Sequence, residues 1–265
     1  MGILTGFISQ FRTWDRPSRI AFLLALGLLV VVLLLLVFGP EQILNFAVVG
    51  TVGLLIVLQI IVLWGNRHMV TAQTQARRHF MAGEYEEARN VLETELARIT
   101  EANQKPQAEM LAFLGNTYRQ LGDLDKSMQF LTQAVETRPK SHFSRYGFGR
   151  TLLTKGEYAA AAEELRLALE LGAPPATSFD LGHAYVRAND AAAASEALKK
   201  ALGATDEAHR VLLAKFWLYQ LEGTPLPTAD GEAFSYWQQE AARFAGTPYG
   251  QALQHDVDEL SSLLN

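Results

Sequence analysis

Three stretches near the middle of the chain share one pattern and decide the fold: LGNTYRQLGD at 114–123, FGRTLLTKGE at 148–157 and LGHAYVRAND at 181–190. Their Leu-Gly or Phe-Gly pairs begin 34 and then 33 residues apart. Two further columns keep this spacing, one of leucine and one of alanine: Leu131, Leu165 and Leu198, then Ala134, Ala168 and Ala201. A fixed period of this length is typical of stacked helical units, so we predict a helical repeat array.

Each unit reads as two amphipathic helices joined by a short turn. The turn falls at Gly122-Asp123, Gly156-Glu157 and Asn189-Asp190. Glycine and asparagine tolerate the left-handed backbone that ends a helix, and an acidic residue after them can cap the next helix. The small residues of the pattern are expected where the two helices of a unit cross closely.

These positions resemble the tetratricopeptide repeat (TPR) family. The family's Leu-Gly, Tyr, Gly-Asp, Ala and Pro positions are matched by Leu114, Gly115, Tyr118, Gly122, Asp123, Ala134 and Pro139. The next repeat is also strong, and one weaker repeat before these two and one after them extend the resemblance over residues 69–202. The resemblance implies an all-α solenoid of about four repeats, which we place at 66–204.

Two long apolar blocks precede the array. Residues 20–38 contain no charged or polar side chain, and residues 43–64 contain only Asn45, Thr51 and Gln59 as polar interruptions. At about 1.5 Å per residue, each block is long enough to cross a hydrocarbon layer of about 30 Å. We predict a transmembrane helical hairpin at 20–65. The alternatives are a cleaved signal peptide, whose apolar core would be shorter, and a buried core helix.

Basic residues flank both ends of the predicted hairpin, whereas its tip carries none. Arg12, Arg16 and Arg19 precede the first span, and Arg67, Arg77 and Arg78 follow the second. The positive-inside rule then places both termini and the array in the cytoplasm. We expect an integral protein of the bacterial cytoplasmic membrane, with the lipid bilayer and other membrane proteins as partners.

The two ends of the chain are predicted to be helical as well. Residues 1–19 form either an amphipathic helix lying in the membrane interface or a frayed tail. Residues 205–265 are predicted to be a helical cap on the array, with Asp206 capping its first helix, Gly223 ending that helix, and two more helices at 232–244 and 249–264. An independent C-terminal domain is the alternative.

Composition and motifs exclude several classes of function. The net charge is −5, and acidic residues outnumber basic ones after residue 65, which argues against nucleic acid as a partner. The six histidines show no metal-ligand spacing, and no nucleophile, base and orienting group occur together. We therefore predict no catalytic residues, no metal and no cofactor.

In TPR proteins the first helix of each repeat lines a concave groove that commonly holds a segment of a partner. Carrying this register across, the resemblance places eight groove positions at Arg77, Asn116, Arg119, Tyr146, Arg150, Phe179, His183 and Arg187. The arginines would pair with carboxylates and the aromatic residues would pack apolar side chains, so the predicted ligand is an acidic or carboxylate-bearing segment. Alternatively, the arginines are solvated and the aromatic residues belong to the core.

The sequence as a whole favours a membrane-tethered adaptor or assembly scaffold, or an accessory subunit of a membrane complex. Tethering would raise the effective concentration of a partner near the membrane. The alternative is a self-associating membrane-organising protein, driven by exposed helices or by the transmembrane hairpin. An enzyme is the third class, and the sequence offers it no site.

Overall fold

The computed structural model describes residues 16–65 and 72–264, and all regular secondary structure in these ranges is helical. The chain divides into two compact units, Met1–Thr71 and Ala72–Asn265. The predicted fold class is confirmed: two apolar helices precede an α-solenoid with a helical C-terminal cap. Residues 1–15 of the amphipathic segment predicted at 1–19 lie outside the described residues.

The first unit contains a hairpin of two long helices, α1 (Arg16–Phe38) and α2 (Glu41–Gly65). They pack through a small apolar cluster around Ala25, Leu29 and Leu58. The turn between them needs Gly39, because a Cβ atom there would lie 2.3 Å from the Leu35 carbonyl oxygen. A short turn of this kind makes the two helices antiparallel neighbours.

Both helices are long and apolar enough to cross a membrane. An 18-residue window within Arg16–Phe38 has a mean hydropathy of 3.4 and one within Phe46–Trp64 a mean hydropathy of 2.7, and only 6% of each window is buried within the protein. Several small residues lie on the two helices. Ala25 and Ala47 are buried, and the Cβ position of Gly50 lies 3.8 Å from Val32. Gly53, in contrast, has open space around its Cβ position. Small residues therefore line only part of the helix contact.

The second unit is a run of helix pairs followed by three further helices. The pairs are α3 and α4 (Ala72–Met81, Tyr85–Glu101), α5 and α6 (Ala108–Gln120, Leu124–Thr137), α7 and α8 (His142–Lys155, Tyr158–Glu170), and α9 and α10 (Thr177–Arg187, Ala191–Leu202). The last three helices are α11 (Ala208–Glu222), α12 (Gly231–Arg243) and α13 (Pro248–Leu264).

The repeated glycines and leucines meet inside three successive pairs. A Cβ atom added to Gly115, Gly149 or Gly182 would lie 2.6, 2.8 or 2.7 Å from a side-chain carbon of Leu131, Leu165 or Leu198, respectively. Such distances are too short for a real contact, so only glycine lets the two helices approach this closely. The glycine and leucine columns, which share one spacing in the sequence, are thus the two sides of one helix contact that occurs in three successive pairs.

The turns follow the predicted backbone geometry. Gly122, Gly156 and Asn189 have φ angles of 81°, 86° and 58°, in the left-handed region. Asp123 and Asp190 then cap the following helices by accepting hydrogen bonds from Lys126 N and Ala193 N.

Two predicted caps are wrong. Glu157 makes no side-chain cap bond, and α11 begins after Glu207 rather than after Asp206. Glu207 also makes no capping bond; its own N–H donates to the Thr205 hydroxyl at 3.2 Å. An acidic residue near the start of a helix therefore does not by itself identify the residue that caps the helix.

The C-terminal helices share one hydrophobic core with the repeats. Trp237, Tyr249 and Leu253 are buried in the same cluster as Leu165 and Leu198. Gly223 has a φ of 69° and ends α11 as predicted. The three helices therefore pack on the array instead of standing apart from it.

Candidate protein-binding groove

The eight predicted groove residues lie on the first helices of four successive pairs. Arg77 is on α3, Asn116 and Arg119 are on α5, Tyr146 and Arg150 are on α7, and the last three, Phe179, His183 and Arg187, are on α9. Only Arg77 is exposed; the other seven are buried or partly buried. The C-terminal helices α11, α12 and α13 contact three of them, Phe179, His183 and Arg187.

On α7, the arginine and tyrosine share one carboxylate of the same chain. Arg150 Nη1 lies 3.0 Å from Asp180 Oδ1, and the Tyr146 hydroxyl donates to Asp180 Oδ2 at 3.0 Å. Burial disfavours the charged form of Arg150, but the Asp180 carboxylate outweighs that effect and raises the pKa of the guanidinium. Burial and Asp180 also raise the pKa of Tyr146. Asp180, on α9, fixes both side chains against the next repeat.

On α9, Arg187 bridges the repeat to the last helix. Its guanidinium pairs with Asp256 of α13, which also accepts from Trp217 Nε1 at 2.9 Å. Arg187 Nε donates to His183 Nε2 at 3.2 Å, so this nitrogen of the imidazole acts as an acceptor. Burial, followed by the charges of Arg187 and Arg150, lowers the pKa of His183 well below its usual value. His183 is therefore neutral in the folded protein.

The aromatic residues of the predicted groove pack against tryptophan and tyrosine from the C-terminal helices. Phe179 stacks on Trp217 and on Trp237, with 5.7 Å between ring centroids in each pair. The ring of His183 lies 5.3 Å from that of Tyr249. These contacts contribute to the hydrophobic core rather than offering free apolar anchors.

Arg119 is the least satisfied member of the set. It is 6% exposed, and its Nε and Nη1 atoms have no hydrogen-bond partner among the described residues. Burial and the neighbouring Arg150 charge lower its pKa to about 10. Glu240 of α12, itself 5% exposed, is close enough to favour the charged form of Arg119. Asn116 lies on the same helix, with its amide against Gly147 of α7.

The chemistry predicted for the groove is therefore present, but the chain supplies its own acidic and aromatic groups. Arg150 pairs with Asp180 and Arg187 with Asp256, Glu240 supplies a negative charge near Arg119, and Trp237 and Tyr249 pack against Phe179 and His183. Sequence reasoning missed Asp180, Glu240, Asp256, Trp237 and Tyr249. Asp180 lies within the array, at a position that the repeated columns do not mark. The other four follow Leu202, where the repeat register ends, and no spacing there indicates which surface of the array the last helices cover.

One end of the groove stays open. A pocket of about 440 Å³ is lined by residues of α3, of α5 and of the first turn of α7: Gln73, Arg77, Phe80, Met81, Glu109, Phe113 and Phe143. Met81 is 77% exposed and Phe143 is 38% exposed. Arg77 makes no hydrogen bond or ion pair with any described residue, whereas Glu109 is paired with Arg138. The pocket thus offers apolar walls and one free positive charge.

The described residues contain no cluster of three or more His, Asp or Glu side chains that could hold a metal ion. Other surface pockets lie around the loop before α12, near Asp230 and Tyr236. Neither of these two pockets is lined by a basic side chain, unlike the pocket beside Arg77.

A family model described as "Tetratricopeptide repeat" matches residues 108–141 and 177–207, which correspond to α5 and α6 and to α9 and α10. This chain carries tetratricopeptide repeats. The segment between the two matches, α7 and α8, has the same glycine–leucine contact and the same left-handed turn, so it is a repeat of the same kind. No curated protein matches the chain significantly.

Solved structures resemble this chain at low sequence identity. The structure of the APC/C hetero-tetramer Cut9-Hcn1 matches 86% of this chain and 45% of its own chain, with a TM-score of 0.51 and 18% identity. A crystal structure of MamA matches 63% of this chain and 93% of its own, with a TM-score of 0.46 and 21% identity. MamA 41-end from Desulfovibrio magneticus RS-1 matches 72% and 92%, with a TM-score of 0.43 and 20% identity.

Proposed function

We propose that this protein is a membrane-tethered adaptor or assembly scaffold, or an accessory subunit of a membrane complex, which binds a partner protein at the open end of its TPR groove. TPR repeats support a role in protein–protein interaction. The single observation that carries the proposal is the pocket beside Arg77, because it is the part of the predicted groove that the C-terminal helices leave accessible.

The charge around this pocket favours an acidic or carboxylate-bearing segment with an apolar side chain. Arg77 is exposed and free to pair, and Phe80 and Phe113 form an apolar wall with 5.3 Å between their ring centroids. Glu109 and Phe143 lie in the first turns of α5 and α7, where the helix dipoles favour negative charge. The opposing acid, Glu109, is neutralised by Arg138.

The remaining predicted groove residues take a different role in this proposal. Arg187 holds the last helix through Asp256, Arg150 is paired with Asp180 of α9, and Arg119 is buried near Glu240 of α12, so none of the three contacts the partner. Their carboxylate partners are buried within the chain, so a ligand would have to displace tightly packed helices to reach them.

The tether is the apolar hairpin of α1 and α2. Its two helices have the length and hydropathy of membrane spans, and mostly apolar side chains cover its outside. The arginines flanking the two spans favour a cytoplasmic location for both ends and for the array. A protease confined to the outside of intact cells should then spare the residues after the hairpin, and their digestion would contradict this orientation.

The binding proposal is tested with the full chain in lipid nanodiscs and fluorescent eight-residue peptides. One peptide carries two glutamates beside a phenylalanine, and its matched partner carries lysines instead. We expect the acidic peptide to bind and the basic one to fail, by anisotropy. Arg77→Glu should weaken binding at least tenfold, because an attraction becomes a repulsion next to the ligand carboxylates.

Arg78 supplies the matched control, since it is an exposed arginine on the same helix but does not line the pocket. Arg78→Glu changes the net charge equally and should leave affinity within about threefold of the parent. Equal losses in both variants would mean that only the overall charge matters. A peptide preference that survives Arg77→Glu unchanged would contradict the proposed site.

A further inference from the structure

Gln59 is a polar side chain on the outside of the apolar hairpin. It lies within the apolar window Phe46–Trp64 of α2 and is exposed, facing away from α1. Its amide makes no hydrogen bond within the described part of the chain. Thr51, a second polar residue of the same window, differs in this respect, because its hydroxyl donates to the Ala47 carbonyl oxygen at 2.8 Å.

The position of Gln59 keeps its amide within the hydrocarbon layer. Gln59 lies five positions before Trp64, or about 7.5 Å along the helix axis. Side chains on a helix lean toward its N-terminus, so Gln59 leans toward Leu55 and Ile56 and away from the nearer end of the span. An amide in lipid is unfavourable unless it meets a hydrogen-bond partner, which here must come from another molecule.

We propose that the hairpin self-associates through the face of α2 that carries Gln59, and that the Gln59 amides of two copies pair with each other. An amide has both a donor group and an acceptor oxygen, so two of them related by a two-fold axis satisfy one another. Copies inserted in the same orientation have identical residues at the same depth. Gln59 of one copy therefore meets Gln59 of the other.

The surrounding residues can form the rest of this contact. Leu55, Ile56 and Leu63 lie one turn before or after Gln59 on the same face of α2, and all three are exposed in the isolated hairpin. Large apolar side chains at these spacings pack as the seam of two crossing helices. A dimer would also present two open groove ends on one assembly, which strengthens the capture of a partner that carries two binding segments.

This inference rests on the membrane insertion in the proposed function but is independent of the groove. The test uses full-length protein in vesicles of phosphatidylcholine and phosphatidylglycerol. Because the chain has no cysteine, Leu63→Cys provides a single site for disulfide crosslinking between copies. We expect a crosslinked dimer, and we expect Gln59→Leu to reduce dimerisation about three- to twentyfold, as for interhelical hydrogen bonds in lipid.

Two variants separate hydrogen bonding from a general change in the hairpin. Gln59→Asn keeps an amide and should retain most of the crosslinking. Thr51→Val also removes a polar group from the span, but one that is bonded within its own helix, and should leave crosslinking unchanged. Dimerisation of Gln59→Leu equal to that of the parent would overturn the inference, as would a monomeric parent. Extraction by alkaline carbonate reports insertion separately: a protein that is inserted but monomeric contradicts only the dimer.

Discussion

The packing of the C-terminal helices leaves the guanidinium of Arg119 buried. A guanidinium buried with two unpartnered nitrogens is unfavourable, and the nearby Arg150 adds repulsion. Glu240 supplies negative charge close to both arginines. The site is thus balanced between buried charges of opposite sign, and the balance depends on α12 staying in place.

His183 gives the folded state a pH dependence of definite sign. Burial lowers its pKa well below the ordinary value of about 6.5, so below that pH the unfolded chain binds a proton at His183 that the folded chain does not bind. Stability should therefore fall as the pH drops below about 6.5. The slope contributed by one proton is about 1.4 kcal/mol per pH unit. Burial lowers the pKa of His209 as well, so this residue adds to the slope with the same sign.

The measurement is urea denaturation of the full chain in nanodiscs between pH 7.5 and 5.5, followed by tryptophan fluorescence. His183→Gln keeps an acceptor for Arg187 and cannot be protonated in this range. We expect it to remove about one proton from the slope and to leave the part due to His209. The window stays above pH 5.5 because burial raises the pKa of Asp256, which has the opposite effect at lower pH. A variant with the parent's slope would contradict this assignment.

Among the elements, the corner between α12 and α13 is the tightest. A Cβ atom on Gly250 would lie 2.0 Å from the Phe244 carbonyl oxygen, and this is a backbone atom that cannot move aside freely. Gly250→Ala should therefore force α13 away from α12 and destabilise the protein by more than about 2 kcal/mol.

Gly246 lies in the same corner and has no atom within 4 Å of its Cβ position, which makes Gly246→Ala the matched control. This variant should unfold at nearly the same denaturant concentration as the parent. Because α13 carries Asp256, which bonds the Trp217 indole, loss of the corner should also alter the tryptophan emission of Gly250→Ala before global unfolding. Equal stability of the two variants would show that the corner tolerates a methyl group.

The elements also show what the sequence could predict. The contact of Gly149 with Leu165 lies within one repeat, and repetition at a fixed period exposes such local contacts in the sequence. The contact of Arg187 with Asp256 joins residues 69 positions apart across the end of the periodic region. The pattern identified Arg187 as a residue facing the groove, but it carried no information about α13. Local geometry was therefore predictable, whereas the occupant of the groove was not.

In the whole array, the open pocket and the docked C-terminal helices lie in different parts of the structure. α12 and α13 share a buried cluster with α8, α9 and α10, including Leu165, Leu198 and Trp237, so they should unfold together with these repeats. The open pocket belongs to α3, α5 and the first turn of α7, and none of its lining residues lies on α12 or α13. Binding there requires no displacement of the C-terminal helices.

Hydrogen exchange measured by mass spectrometry tests whether partner binding and docking of the C-terminal helices are coupled. In the free protein, amides of α13 should exchange as slowly as those of α9, because both open only when the shared core opens. Saturation with the acidic peptide should slow exchange in α3 and the start of α5, and should leave α13 unchanged. If α13 exchanged faster once the peptide was bound, the ligand would be displacing the C-terminal helices from Arg119, Arg150 and Arg187. The buried carboxylates would then be internal competitors of the partner rather than permanent parts of the core.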